Sequence, residues 1–269
     1  MLRQILIATK TYPSISTKYR ETVCTAGVLL SRDEEPEQWI RIYPIRFRSL
    51  DFDKRYPRWS IIEAEITRNP KDNRPESYRV NEESITIVSK VGTQNNWEQR
   101  KKLVLPLRFD SVDEIQNRGA SLGIIKPQIR RYYSKPTERH WSPKQQAILD
   151  QEDLFDEKIP LDKIPYQFGY EFVDGGGKSH RYSISDWEIA QLYRRSLDSS
   201  NAAGEDLRER EALEKVRQKL EDEFLSTKDL YFIVGNLKTR PKTFMIIGLF
   251  YPPRVEAEQR VEAEQLALF

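Results

Sequence analysis

Histidines and carboxylates are the groups a hydrolase would use, and they cluster in two places. The stretch SHRYSISDWE, residues 179–188, brings His180, Asp186 and Glu188 close together. A histidine with two carboxylates could hold a metal ion for phosphodiester hydrolysis. Asp186 and Glu188, however, stand at i and i+2 of a predicted helix start and point to different sides. Acids in a first helical turn are already favoured by the helix dipole. The second cluster, KDNRPESYR at 71–79, offers Asp72, Arg74, Glu76, Tyr78 and Arg79. It reads either as a functional loop or as a turn closed by ion pairs. Cys24, the single cysteine, could pair with His180 as nucleophile and base. Its place inside a predicted strand favours a buried, inert thiol. The chain has no GxxxxGK[ST], GxGxxG or HExxH, and the glycines at 175–177 lack the strand-then-helix setting of a phosphate loop. No cofactor or resident metal is implied.

Basic and aromatic residues interleave more tellingly. WIRIYPIRFR places Trp39, Arg41, Tyr43, Arg46, Phe47 and Arg48 together. IRRYYSKPTERHW places Arg130, Arg131, Tyr132, Tyr133, Lys135, Arg139, His140 and Trp141 together. Single-strand binders combine a basic groove with flat rings on which bases stack, and arginine holds phosphate in a bidentate manner. Alternation in the first stretch puts Ile40 and Ile42 on one face, expected to be core. Trp39, Arg41 and Tyr43 share the other, expected to be exposed or in a groove.

Charge distribution points the same way. Overall charge is only +2, yet Arg100–Lys144 carries eleven Lys/Arg against four Asp/Glu, and Arg41–Trp59 six against two. Asp150–Glu157 carries five acids and no base. A basic half beside an acidic break suggests a surface facing a polyanion. Mean hydropathy is −0.71, and no apolar run approaches the roughly 20 residues of a membrane helix. With one cysteine and no signal-peptide pattern at the N-terminus, the expected location is the cytoplasm.

These groups must be positioned by a mainly β fold with helices, an α+β chain. Strands are expected at Ile5–Thr9, Thr22–Leu30, Trp39–Tyr43, Trp59–Thr67 and Ser84–Ser89, with short helices at Asn95–Leu103 and after Ser111. Tyr166–Val173 and His180–Ile184 form a hairpin, Ser185 caps a helix, and Asp206–Leu225 is amphipathic with Leu207, Leu213, Val216, Leu220 and Phe224 on one face. Strands Asp229–Val234 and Thr243–Phe250 close the fold at Pro252-Pro253. The expected organisation is a β-barrel-like unit over 1–110, a basic segment and acidic linker over 111–165, a second barrel-like unit over 166–253, and a flexible tail over 254–269.

Two resemblances follow from these residues. The run ILIATK…CTAG…WIR, with Cys24-Thr25-Ala26-Gly27 and Trp39-Ile40-Arg41, resembles the opening of bacterial dual OB-fold proteins. DLYFIVGN…FMIIGLFYPP resembles the closing strands of a second such barrel. That resemblance implies two small OB-like barrels, nucleic-acid binding and a place in bacterial defence. In the tail, RVEAEQ occurs twice, at 254–259 and 260–265, and leads to QLALF. Gln265, Leu266, Leu268 and Phe269 match the bacterial sliding-clamp-binding pattern Q-L-(S/D)-L-F, with Ala267 departing. This implies a protein partner, the DNA polymerase sliding clamp, held by a few apolar anchors.

The functional expectation is a DNA-associated accessory protein recruited to the replication clamp, in genome maintenance or anti-phage defence, with no catalysis required. Two alternatives stand beside it. One is a metal-dependent nuclease or nucleotide-modifying enzyme using His180, Asp186, Glu188, Asp72 and Glu76. The other is an adaptor that binds only proteins.

Overall fold

A computed structural model describes residues 1–150 and 160–255. The N-terminal half contributes β1 (Leu2–Lys10), β2 (Ser14–Ser16), β3 (Arg20–Leu30), β4 (Pro36–Ile45), β5 (Ser60–Arg68), β6 (Ser77–Val80), β7 (Thr86–Lys90) and α1 (Gln94–Val104). Five of these strands run in the order β1-β3-β4-β6-β5, and β5 pairs back on β1. All pairs are antiparallel except β4 with β6. The result is a closed five-stranded barrel, with β7 added on β5 and β2 on β3.

Period-two alternation sorts these strands into two faces. Ile5 and Ile7, Val23 and Leu29, Ile40 and Ile42, and Ile62, Ala64 and Ile66 fill the barrel. Their neighbours Leu6, Ala8, Ala26, Val28, Leu30, Trp39 and Ile61 point outward, yet they are buried too. The second half covers them.

That half supplies β8 (Arg108–Phe109), α2 (Val112–Asn117), β9 (Leu122–Ile125), β10 (Gln128–Pro136), α3 (Pro143–Leu149), β11 (Tyr166–Val173), β12 (Ser179–Ser183), α4 (Trp187–Asp198), α5 (Glu205–Arg217), α6 (Phe224–Thr227), β13 (Tyr231–Leu237) and β14 (Arg240–Phe250). One sheet runs β14-β13-β9-β8 and another β10-β11-β12. A bridge between Ile184 and Ile246 links them. Leu122, Ile124, Tyr231, Ile233, Ile247 and Phe250 of the first sheet pack on the outer face of the barrel. The backbones approach closely there. A Cβ at Gly248 would lie 2.6 Å from Thr9 Cβ, and Thr9 Oγ1 donates to the Ile247 carbonyl at 2.8 Å. The mainly β fold with helices is as the sequence predicts.

Three local details differ from expectation. The helix α4 is capped by Asp186, whose carboxylate accepts the Glu188 N–H, while the Ser185 N–H goes to the Ile246 carbonyl. Asn95, Asn96 and Trp97 adopt left-handed backbone angles, so α1 begins with a reversed turn that asparagine tolerates. Leu207 is 43% exposed, and the buried stripe starts only at Ala212 and Val216 of α5 and continues past its end through Leu220 to Phe224 of α6.

Candidate nucleic-acid interface

Strands β10, β11 and β12 form an antiparallel sheet with one buried and one open face. The buried face carries Tyr132, Phe168, Tyr170 and Phe172, packed with Val216, Leu220 and Phe224. Strand alternation therefore sends Arg131, Tyr133 and Lys135 to the other side. Register sets Arg131 opposite Glu171, Tyr133 opposite Gly169 and Lys135 opposite Gln167, with Arg181 next to Glu171 on β12. An irregularity between Ile129 and Arg131 leaves Arg130 unpaired in the ladder and exposed.

Tyr133 lies across the backbone of Gly169. A Cβ there would stand 2.4 Å from the Tyr133 Cζ and Oη atoms and 2.4 Å from the Tyr182 carbonyl oxygen. The guanidinium of Arg181 sits 4.4 Å from the centre of the Tyr133 ring. Glu171 is the one acid in this register; it pairs with Arg131 at 2.8 Å and Arg181 at 3.5 Å. Three cations, one anion and a flat ring thus share an open sheet face. A surface of that kind can offer charge to phosphates and a ring to a base.

The other expected contacts are placed differently. Trp39 and Arg41 are buried, which corrects the expectation of an open groove: the face they share is the one covered by the second half of the chain. Trp39 Nε1 donates to the Leu107 carbonyl, and Arg41 donates to the Ser121 hydroxyl and carbonyl at 2.9 and 3.1 Å. Tyr132 points into the core. Tyr43 is half-buried. Arg46 pairs with Glu82, Arg48 with Glu21, and Arg139 holds Glu209 through two hydrogen bonds of 2.9 and 2.7 Å. Trp141 donates to the Leu161 carbonyl.

The candidate catalytic residues fall into separate structural networks. His180 Nε2 lies 2.8 Å from Asp174, which also accepts the Val112 N–H. Asp186 accepts the Leu249 N–H and, with Glu188, surrounds the buried guanidinium of Arg58. Burial pushes the Asp186 carboxyl up to about 6, opposed by Arg58. Asp72 is held by Arg74 and Ser77, and Glu76 by Ser121. Among the described residues no three His, Cys, Asp or Glu side chains gather as a metal site. Burial pushes the Cys24 thiol up, which keeps it a poor nucleophile.

The family described as "Domain of unknown function (DUF8757)" matches residues 109–269. The chain belongs to that family. A second, "Domain of unknown function (DUF8758)", matches residues 1–106; the DUF8757 match opens within β8 and takes in the whole β10–β12 sheet. No curated protein matches the chain. Among solved structures, it is similar to "Structure of murine DNA binding protein bound with ds DNA", at 7% identity and a TM-score of 0.32 over 95% of this chain and 96% of that one. A score that low carries no argument about fold or ligand. Among the described residues no helix is long and apolar enough to cross a membrane. Gln265, Leu266, Leu268 and Phe269 lie outside the described residues.

Sequence reasoning did not pick out Gly169 or Arg181. Their importance comes from cross-strand neighbours, which a single stretch of sequence does not display.

Proposed function

We propose that this protein binds nucleic acid, DNA in particular, through the open face of the β10–β12 sheet. The observation that carries the reading is the stack of Arg181 on Tyr133 over Gly169, flanked by Arg131 and Lys135. Phosphate contacts made by such cations release counterions and give salt-sensitive affinity. The ring adds stacking that tolerates any base.

The finer part of the proposal concerns recruitment. QLALF matches the sliding-clamp-binding pattern at four of five positions, and residues 254–264 provide a polar tether before it. The protein then acts where the clamp is, in genome maintenance or defence against phage, as the resemblance to dual OB-fold proteins suggests. Support for this part is in the sequence alone.

The test is fluorescence anisotropy with labelled single-stranded and duplex oligonucleotides over a range of salt. Intact protein should bind with an affinity that falls as salt rises, and Arg131→Glu with Lys135→Glu should weaken it. Absence of salt-sensitive binding by the intact protein would remove the nucleic-acid reading and favour the adaptor. In calorimetry against purified clamp, deletion of residues 265–269 should abolish binding. Undiminished binding by the truncated chain ends the recruitment proposal.

A further inference from the structure

A second basic surface lies away from that sheet, where the two halves of the chain meet. The loop between β5 and β6 and the turn between β13 and β14 enclose a cleft of about 480 Å³, lined by Lys71, Arg74, Gln116, Gly119, Lys238 and Lys242. A volume of this order is that of a small-molecule site.

Its one lining carboxylate is already spent. The Asp72 side chain is fully buried and takes two hydrogen bonds from the Arg74 guanidinium, at 2.9 and 2.7 Å, and one from Ser77. Arg74 then donates across to the Asn236 carbonyl at 3.0 Å, tying the loop to β13. Asn236 itself is held by the Ser121 carbonyl through its N–H and by the Pro241 carbonyl through its side chain. The walls are therefore fixed before any ligand arrives.

Lys71, Lys238 and Lys242 remain on the rim. All three are exposed, and none has a carboxylate partner among the described residues. Arg240, next to the turn, is exposed as well. The segment NLKTRPKT, 236–243, holds three cations and no acid. Many other surface cations in this protein are paired: Arg3, Lys54, Lys102, Arg118, Lys178 and Arg217 each meet a carboxylate. Uncompensated like charges brought together on a rigid cleft raise the local potential and attract an anion.

We infer that this cleft binds phosphate groups, supplied by the backbone of a nucleic-acid chain, as a contact region separate from the β10–β12 sheet. The polymer is preferred over a free nucleotide because the cations line an open rim, with Lys238 at the turn and Lys71 on the opposing loop. Lysine acts here as a mobile point charge on phosphate. The inference rests on the nucleic-acid reading for its choice of polymer.

The test uses the full chain, wild type and two triple variants: Lys71→Glu/Lys238→Glu/Lys242→Glu in the cleft and Arg131→Glu/Lys135→Glu/Arg181→Glu on the sheet. Probes are a labelled deoxythymidine oligomer and, separately, deoxythymidine monophosphate. Thermal melting by circular dichroism confirms that each variant folds. The cleft variant should bind the oligomer at least ten-fold more weakly at low salt, with a log–log salt slope reduced by about 2, as three lost phosphate contacts on a single strand require. An unchanged cleft variant beside a weakened sheet variant overturns the inference and leaves the sheet reading standing. The opposite pattern keeps the cleft and removes the sheet. Tight binding of the monophosphate, with the oligomer unaffected by the cleft changes, overturns the polymer assignment in favour of a nucleotide pocket. No binding of either probe by wild type overturns both.

Discussion

Glu76 holds Ser121 by both of its polar groups. Oε1 accepts the backbone N–H and Oε2 accepts the hydroxyl, each at 2.7 Å, and the same hydroxyl accepts from Arg41 at 2.9 Å. All three residues are buried, and they join the barrel to the start of β9. Removing one member of a buried charged network leaves the other without compensation, at a cost of about 3–5 kcal/mol. Glu76→Ala should therefore lower the urea midpoint steeply, and Glu76→Gln, which retains an acceptor, should lower it less. A loss below about 1 kcal/mol in Glu76→Ala would show that the network contributes little.

The same three residues mark where the sequence could be read and where it could not. Alternation in β4 correctly assigns Ile40 and Ile42 to the barrel interior. It cannot say whether the opposite face meets water. Arg41 carries a charge and looks like a surface residue, but its partner Ser121 is 80 positions away. Nothing local predicts that the outer face of the barrel is covered by β9, β13 and β14. On β10 the basic–aromatic pattern groups Tyr132 with Arg131, Tyr133 and Lys135, but the fold turns Tyr132 inward and sends the other three out. Lys238, Arg240 and Lys242 left a readable signal, three cations without an acid. Their meeting with Lys71 follows only from the fold.

Lys10 gives a prediction in pH. Its ammonium lies 3.9 Å from the Phe47 ring centre, near the Tyr56 and Trp187 rings, and donates to the Tyr56 carbonyl. Burial lowers its pKa from 10.5 to about 8, against the attraction of Glu188, with Arg58 lowering it further. Below about pH 8 the lysine is protonated folded and unfolded, so it adds no pH dependence. Between about 8 and 10.5 the unfolded chain holds a proton that the folded chain has released. Its contribution to stability therefore rises with pH in that window, by up to ~1.4 kcal/mol per unit. Urea midpoints of wild type should carry this rise between pH 8 and 10, and Lys10→Met should lose it. Parallel profiles would place the titration elsewhere.

Glu171 restrains the sheet face it belongs to. It neutralises Arg131 at 2.8 Å and engages Arg181 at 3.5 Å. Glu171→Gln keeps the size and frees both guanidiniums for phosphate. Affinity for a single-stranded oligomer should increase, and the salt slope should steepen by about 0.7, the value of one further phosphate contact. Weaker binding in this variant would mean that Glu171 positions the arginines, so that its charge is not a restraint.

Tyr133 and Gly169 separate binding from packing. The ring rests on a backbone that has no Cβ, so Gly169→Ala would drive a methyl against Tyr133 and the Tyr182 carbonyl. The tyrosine can swing away, but the carbonyl belongs to the sheet. Overpacking of this kind costs about 1–3 kcal/mol. Tyr133→Ala creates no clash; it leaves Arg181 in place without its ring. Its unfolding midpoint should stay close to wild type, while single-strand affinity falls by the ~1–3 kcal/mol that one stacked base supplies. The loss should also be nearly independent of salt, because no cation has been removed. If the Tyr133→Ala deficit instead disappears at low salt, the ring serves only to hold Arg181 in place, and stacking is not part of recognition.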